Sequence, residues 1–430
     1  MGKPFKRASA PADPGRRRFL GGAAALGCSA AAWPLITPVT LAAAPGENRL
    51  VVIVLRGALD GLDAVRPAFE PALARMRPTI IQGSELKDGD LDGRWALHPA
   101  LLPLRALWQE GSFGAVHATS TPYRDKRSHF DGQDILETGT PGIPPSATER
   151  RGWLNRALEA MPGVTPTTAF AVGREDLLIL EGPAPHASWS PDLALGLTPQ
   201  AALLLERLYA GDPLFAEAAR QALMLAEAGT GLAADAPEDG EGEPNMMMED
   251  PAAALRKSLG KAGRASRGRM LAAFAAERLN AETRIAAFSL GGFDTHRGQH
   301  GTLRRALAEL AEAITTLRAT LGPNWERTAV LCMTEFGRTA AENGTRGTDH
   351  GTGGALLYAG GALRGGRVLG RWPGLEEADL YAGRDLMPTS DLRLWAGWVL
   401  HALFGLERGV IESAVFPRLD MGTREPGLVV

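Results

Sequence analysis

The stretch LVVIVL at residues 50–55 is six consecutive apolar residues that stop abruptly at Arg56-Gly57. A strand that alternates apolar and polar residues can leave one face to water. An uninterrupted apolar strand has to be covered on both faces, which demands a layer above the sheet and another below it. Residues 113–118, 284–290 and 328–333 read as further strands. Between them apolar residues recur at helical spacing, as in Leu303, Leu307, Leu310, Ile314, Leu317 and Leu321, which form one stripe of a long helix. This alternation predicts an α/β fold built on a mostly parallel sheet.

The N-terminus indicates where such a domain works. Arg16-Arg17, one residue, Phe19-Leu20, a mildly apolar run rich in Ala and Gly, and small residues up to Ala44 resemble a twin-arginine export signal over residues 1–44. Pro34, Pro38 and several glycines make that run a poor membrane helix. The expectation is a mature chain of residues 45–430 with no stable membrane span, carried by the twin-arginine export machinery to the periplasm or beyond. Cleavage after Ala42 or Ala44 suits the small residues, although Pro45 disfavours the second. Residues 25–28 form a weak lipobox without the larger aliphatic residue three before Cys28, so a lipid anchor there is the lesser reading.

Removing this segment takes away six Lys/Arg and one Asp, so the formal charge falls from −3 to −8. Such an acidic surface argues against nucleic acid as the main partner. Only Cys332 then remains, so an intrachain disulfide is ruled out and the fold relies on its core. Residues 229–251 are acidic, rich in Gly and Pro and without periodicity. They read as a mobile surface insertion spanning about 228–252, with Met246, Met247 and Met248 as a local packing plug.

The polar residues take on meaning against this scaffold. The first strand runs into RGALDGLD, which places Asp60 just past a strand's carboxyl end. The strand at 284–290 runs into GGFDTH, with Asp294 and His296, and His300 a little further on. The strand at 328–333 runs into TEFGRT, with Glu335 and Arg338, and the loop beyond it holds Asp349-His350 within GTDHG. The carboxyl ends of parallel strands share one edge, where ligands bind. Carboxylate and imidazole donors brought together there suit zinc, manganese or a related divalent ion, one or two per chain. Any single Asp after a strand is just as well a turn or capping residue; the recurrence after successive strands points to a metal.

Ser128 stands where a helix is expected to begin, with Gly139 at its end. A hydroxyl at that position is either a helix cap, with Asp131 three residues on in support, or a nucleophile favoured by the helix dipole and the free amides. His129 and Arg127 are placed to touch an anionic substrate group.

The motifs RSHFDGQDILETG, GGFDTH, TEFGRT and GTDHG, with the opening LRGALDGLD and GRVLGRWPGL at 366–375, resemble the exported bacterial proteins of domain-of-unknown-function family 1501. The resemblance covers nearly the whole mature chain. It implies membership of the alkaline phosphatase and sulfatase superfamily and hence a three-layer α/β/α sandwich with a metal centre at the strand ends. On that resemblance Asp60 would be the first-strand metal ligand, Ser128 the nucleophile, Asp294 with His296 one metal's pair and Asp349 with His350 the other's. Glu335 would complete the set, with His129 and Arg338 on the substrate. The superfamily's phosphatases have a further histidine after the AspHis pair; the only later one here, His401, sits in a helical pattern and reads as a packing residue. The function implied is an exported metal-dependent hydrolase of phosphate or sulfate esters. The alternative is a non-catalytic exported protein that keeps the fold and binds an envelope partner or a polysaccharide.

Overall fold

The computed structural model describes residues 46–81, 83–124, 126–144, 150–173, 177–189 and 267–430. The chain divides into two units, Met1–Ala44 and Pro45–Val430. The twin-arginine pattern, Cys28 and the acidic stretch with its three methionines lie outside the described residues.

Eleven strands are described: β1 (Arg49–Leu55), β2 (Val65–Pro67), β3 (Trp95–Leu97), β4 (Phe113–Ser120), β5 (Ala169–Val172), β6 (Ala187–Trp189), β7 (Ile285–Leu290), β8 (Thr328–Met333), β9 (Gly354–Ala359), β10 (Val368–Leu369) and β11 (Ser390–Asp391). Nine of them form one sheet in the order β10-β4-β9-β8-β1-β7-β5-β6, with β11 also on β4. Every pairing in it is parallel except those of β9, which runs antiparallel to both β4 and β8. β2 and β3 make a separate antiparallel ribbon.

The helices that matter here are α1 (His129–Thr138), α2 (Trp153–Ala160), α3 (Arg267–Asn280), α4 (Gln299–Leu321) and α5 (Leu392–Phe404). Along β1 the side chains divide by parity. Val51, Ile53 and Leu55 join a cluster with α3 and α4, whose Leu303, Leu307, Leu310, Ile314 and Leu317 are buried there. Leu50, Val52 and Val54 join a second cluster with Trp153 and Leu154 of α2 and Trp395, Val399 and Leu400 of α5. The strand is apolar throughout because each face has its own helical layer, and the architecture is a three-layer α/β/α sandwich on a mostly parallel sheet. Among the described residues no helix is long and apolar enough to cross a membrane. His401 lies in α5 with its Nδ1–H on the carbonyl of Leu406 at 2.8 Å, away from the strand-end rim.

The direction of β9 has a functional consequence. Being antiparallel, it places the residues before it, rather than after it, on the edge where β1, β7 and β8 end. Asp349 and His350 therefore reach the same rim as the loops that follow those three strands.

Two buried histidines make the sandwich sensitive to acid. His117 donates its Nε2–H to the carbonyl of Val65 at 2.8 Å, and its ring stacks on Trp95 with centroids 4.9 Å apart. His98 accepts the amide of Ala100 on Nδ1 at 3.0 Å, so that nitrogen must stay unprotonated. Burial pulls both down to about 4. The unfolded chain, with histidines near 6.5, takes up these protons first, so stability is lost as pH falls from about 6.5 towards 4, by about 3 kcal/mol per histidine. Denaturant titrations across that range should show the loss, and His117→Gln should flatten the slope by up to about 1.4 kcal/mol per pH unit. An unchanged slope in the variant contradicts this reading.

Candidate metal centre

Three side-chain atoms converge on one point of the rim, with a fourth beside them. His129 at the first turn of α1, Asp294 in the loop after β7 and His350 before β9 each offer one donor atom, all within 4.8 Å of one another. His296 adds a fourth: its Nε2 lies 2.9 Å from Nε2 of His350 and 3.2 Å from Oδ1 of Asp294. Oδ1 of Asp294 is in turn 3.6 Å from Nε2 of both His129 and His350.

The outer nitrogens decide what these atoms present. Nδ1 of His350 lies 2.6 Å from the carbonyl of Arg127, Nδ1 of His129 lies 2.7 Å from Oε1 of Glu335, and Nδ1 of His296 lies 2.9 Å from Oδ1 of Asp349. Each of these oxygens can only accept, so each Nδ1 must hold the proton. All three Nε2 atoms then face the centre with a lone pair, beside a carboxylate oxygen. Two such nitrogens 2.9 Å apart repel unless a proton or a metal ion sits with them, and Nε2 of His129 is buried with no hydrogen-bond partner. Three imidazoles, each held from behind by an acceptor, and one carboxylate fit a divalent cation.

Electrostatics agree with that assignment. Burial pushes Asp294 up, but its hydrogen bond and ion pair with Arg338, at 2.5 Å, outweigh burial and hold it below the usual carboxylate range. Burial likewise raises Glu335, and hydrogen bonds from His129 and the Gly57 amide outweigh it. The hydrogen bond from His296, helped by Asn343, lowers Asp349. The bond to Glu335 raises His129, whereas burial lowers His350.

The residues singled out in the sequence divide into ligand atoms and the groups that hold them. Asp294, His296 and His350 present donor atoms, and so does His129, a substrate contact by the sequence pattern. Its signal was the one used for the others: a polar residue in the segment following a rim strand, here β4. Glu335 is fully buried one step behind, its Oε1 accepting from Gly57 and His129 and its Oε2 from Thr334 at 2.9 Å. Asp349 stands behind His296 in the same way, with Asn343 Nδ2 on the same oxygen at 3.0 Å. Arg338 is also buried and faces no open substrate space. Its Nε donates to Ala58, Nη1 to Thr348, and Nη2 to Gly57, Phe293 and Asp294.

Asp60 is placed apart from the four-atom cluster. Its Oδ2 accepts from Arg77 at 2.7 Å and Gln299 at 2.6 Å, and its Oδ1 is buried without a hydrogen-bond partner. Gln299 also binds Asp63, which pairs with Arg66. His300 is exposed and outside the cluster.

Local backbone geometry is adapted to this packing. Gly57 has φ +110, and a Cβ there would lie 2.5 Å from the Asp294 amide; the next residue, Ala58, is also left-handed at φ 63. Only glycine lets the end of β1 pass so close to the ligand loop. Ser128 is the N-cap of α1 without a side-chain capping bond. Its amide is held instead by the hydroxyl of Tyr123 at 2.9 Å, and Tyr123 lies 3.5 Å from Asp131.

A family model described as "Protein of unknown function (DUF1501)" matches residues 105–413, and the chain belongs to that family. No curated protein matches it. Similar solved structures include Ps i-CgsB in complex with k-i-k-neocarrahexaose, at 12% identity and TM-score 0.36, over 84% of this chain and 73% of that one. A protein in the alkaline phosphatase superfamily from Vibrio parahaemolyticus matches at 13% identity and TM-score 0.34, over 75% of this chain and 62% of that one. Alkaline phosphatase from the Antarctic bacterium TAB5 matches at 11% identity and TM-score 0.33, over 73% and 91%.

The division of roles predicts how the residues respond to substitution. Purified protein should bind one zinc or manganese ion per chain, and His350→Ala should abolish binding. Glu335→Gln, which leaves the ligand atoms in place, should weaken affinity by about 10–100-fold in competition with a chelating dye. Asp60→Asn should retain the metal. Loss of metal in Asp60→Asn with full affinity in Glu335→Gln would reverse the assignment.

Proposed function

We propose that this protein is an exported, metal-dependent hydrolase of phosphate or sulfate esters. The observation that supports it most is the coincidence of the His129, Asp294 and His350 group, with His296 beside it, with a serine hydroxyl that makes no capping bond on the residue before His129. Export is proposed on the twin-arginine pattern at residues 1–44.

A divalent cation held by His129, Asp294, His296 and His350 would supply Lewis acidity toward an ester oxygen and a neighbouring hydroxyl. The protein's own groups prepare the rest. The Ser128 amide donates to the Tyr123 hydroxyl and its side chain makes no capping bond, so the hydroxyl is left for attack on phosphorus or sulfur. The first amides of α1 have no partner within the helix, and with the helix dipole they favour negative charge developing there. Glu335 and Asp349 accept from Nδ1 of His129 and His296, which fixes the tautomer that turns each Nε2 lone pair toward the centre. Arg338 holds Asp294 ionised and its loop in place.

The test uses zinc- and manganese-loaded protein with aryl phosphates and aryl sulfates. The parent should turn over at least one class, and Ser128→Ala should lower kcat by roughly 10³-fold or more with metal content unchanged. Metal-loaded parent protein that hydrolyses neither class would favour the non-catalytic binding role.

A further inference from the structure

Two loops that deliver the cluster are laced together along their backbones. The amide of Gly298 donates to Thr345 at 3.1 Å and that of Gln299 to Arg346 at 2.8 Å. Thr345 Oγ1 and Asn343 Nδ2 both donate to the carbonyl of His296, at 2.6 and 3.0 Å. Each loop has one exposed arginine: Arg297, next to the donor residue His296, and Arg346, three residues before Asp349.

Neither arginine has a carboxylate partner among the described residues. The two carboxylates of these loops are already engaged, Asp294 by Arg338 and Asp349 by His296 and Asn343. Two like charges on adjacent, cross-bonded loops repel each other, in a protein whose net charge is negative. Arg346 also sits at φ 57, a conformation that suits glycine or asparagine better, within a stretch where glycines flank it on both sides. Arg297 and Arg346 thus stand exposed on adjacent, cross-bonded loops at the rim of the candidate centre.

We infer that Arg297 and Arg346 form an anion subsite beside the metal centre, and that the substrate is a polyanionic chain bearing further sulfate or phosphate groups besides the ester to be cleaved. This deepens the hydrolase reading and rests on it for the word substrate; the subsite itself is tested by binding alone. Guanidinium groups suit both anions, since each offers planar paired donors to tetrahedral oxygens.

The experiment titrates zinc-loaded full-length protein with dextran sulfate, polyphosphate and neutral dextran at low ionic strength, by calorimetry. The parent should bind at least one polyanion and not dextran, the tighter polyanion naming the natural anion. Arg297→Gln with Arg346→Asn, asparagine being tolerant of that backbone conformation, should weaken binding about tenfold, the combined loss of two exposed charge contacts. Charge-matched Arg418→Gln with Arg424→Gln should leave affinity unchanged. Zinc content and circular dichroism check that the double variant is folded; if it is not, Arg297→Gln alone should lose about threefold. The inference is overturned if the parent binds neither polyanion above dextran, if the rim variants bind as the parent does, or if the control pair loses as much. An inactive parent that still loses affinity with the rim arginines upholds the subsite and counts only against hydrolysis.

Discussion

The rim is organised around one buried cation. Arg338 follows β8, and from there its guanidinium reaches the loop after β1 through Gly57 and Ala58, the loop after β7 through Phe293 and Asp294, and the loop before β9 through Thr348. Hydrogen bonds to a charged group contribute about 1.5–3 kcal/mol each, and losing this one side chain would orphan four buried carbonyls together. A flexible ammonium on a single stem lacks the planar fork that reaches three loops at once. The centre is therefore assembled from segments distant in sequence by a group that supplies no ligand atom itself.

Around that knot lies a second ring of holders, and its chemistry explains why the inner atoms are what they are. A buried carboxylate such as Glu335 is costly unless it is fully paired. Here it receives two backbone or hydroxyl donors and one imidazole, and in return it fixes the tautomer that leaves the Nε2 lone pair of His129 facing the centre. The same exchange recurs at lower burial between Asp349 and His296, and with a neutral carbonyl for His350. The bond to Glu335 raises the proton affinity of His129, whereas burial of the ring lowers that of His350. Below them the Asp60–Arg77 pair has settled its own charge balance within the fold.

Much of the scaffold was legible because apolar continuity is a strong signal. β1, β7 and β8 and the α4 stripe are all visible as runs or repeats, and with them the edge to which Asp294, His296 and His350 belong. Less legible was which of the rim residues offer atoms and which stand behind them. Chain position tells that Asp60 and Glu335 follow strands; it does not reveal that Arg77, seventeen residues on in an aperiodic segment, takes the first, or that His129 takes the second. The reversed direction of β9 was equally hidden, since GALLYA reads the same whichever way the strand runs. In the sequence His129 reads as a contact to an anionic substrate group, and only the three-dimensional path of α1 turns its ring inward.

The central claim is that His129, His296 and His350 share one cation with Asp294. X-ray absorption at the metal edge of the zinc-loaded protein measures this directly, because imidazole rings give multiple-scattering features that carboxylates and water do not. Three imidazoles and oxygen donors at about 2.0–2.2 Å are expected, falling to two imidazoles in His129→Ala. A spectrum of oxygen ligands alone, or one that His129→Ala leaves unaltered, would contradict the account.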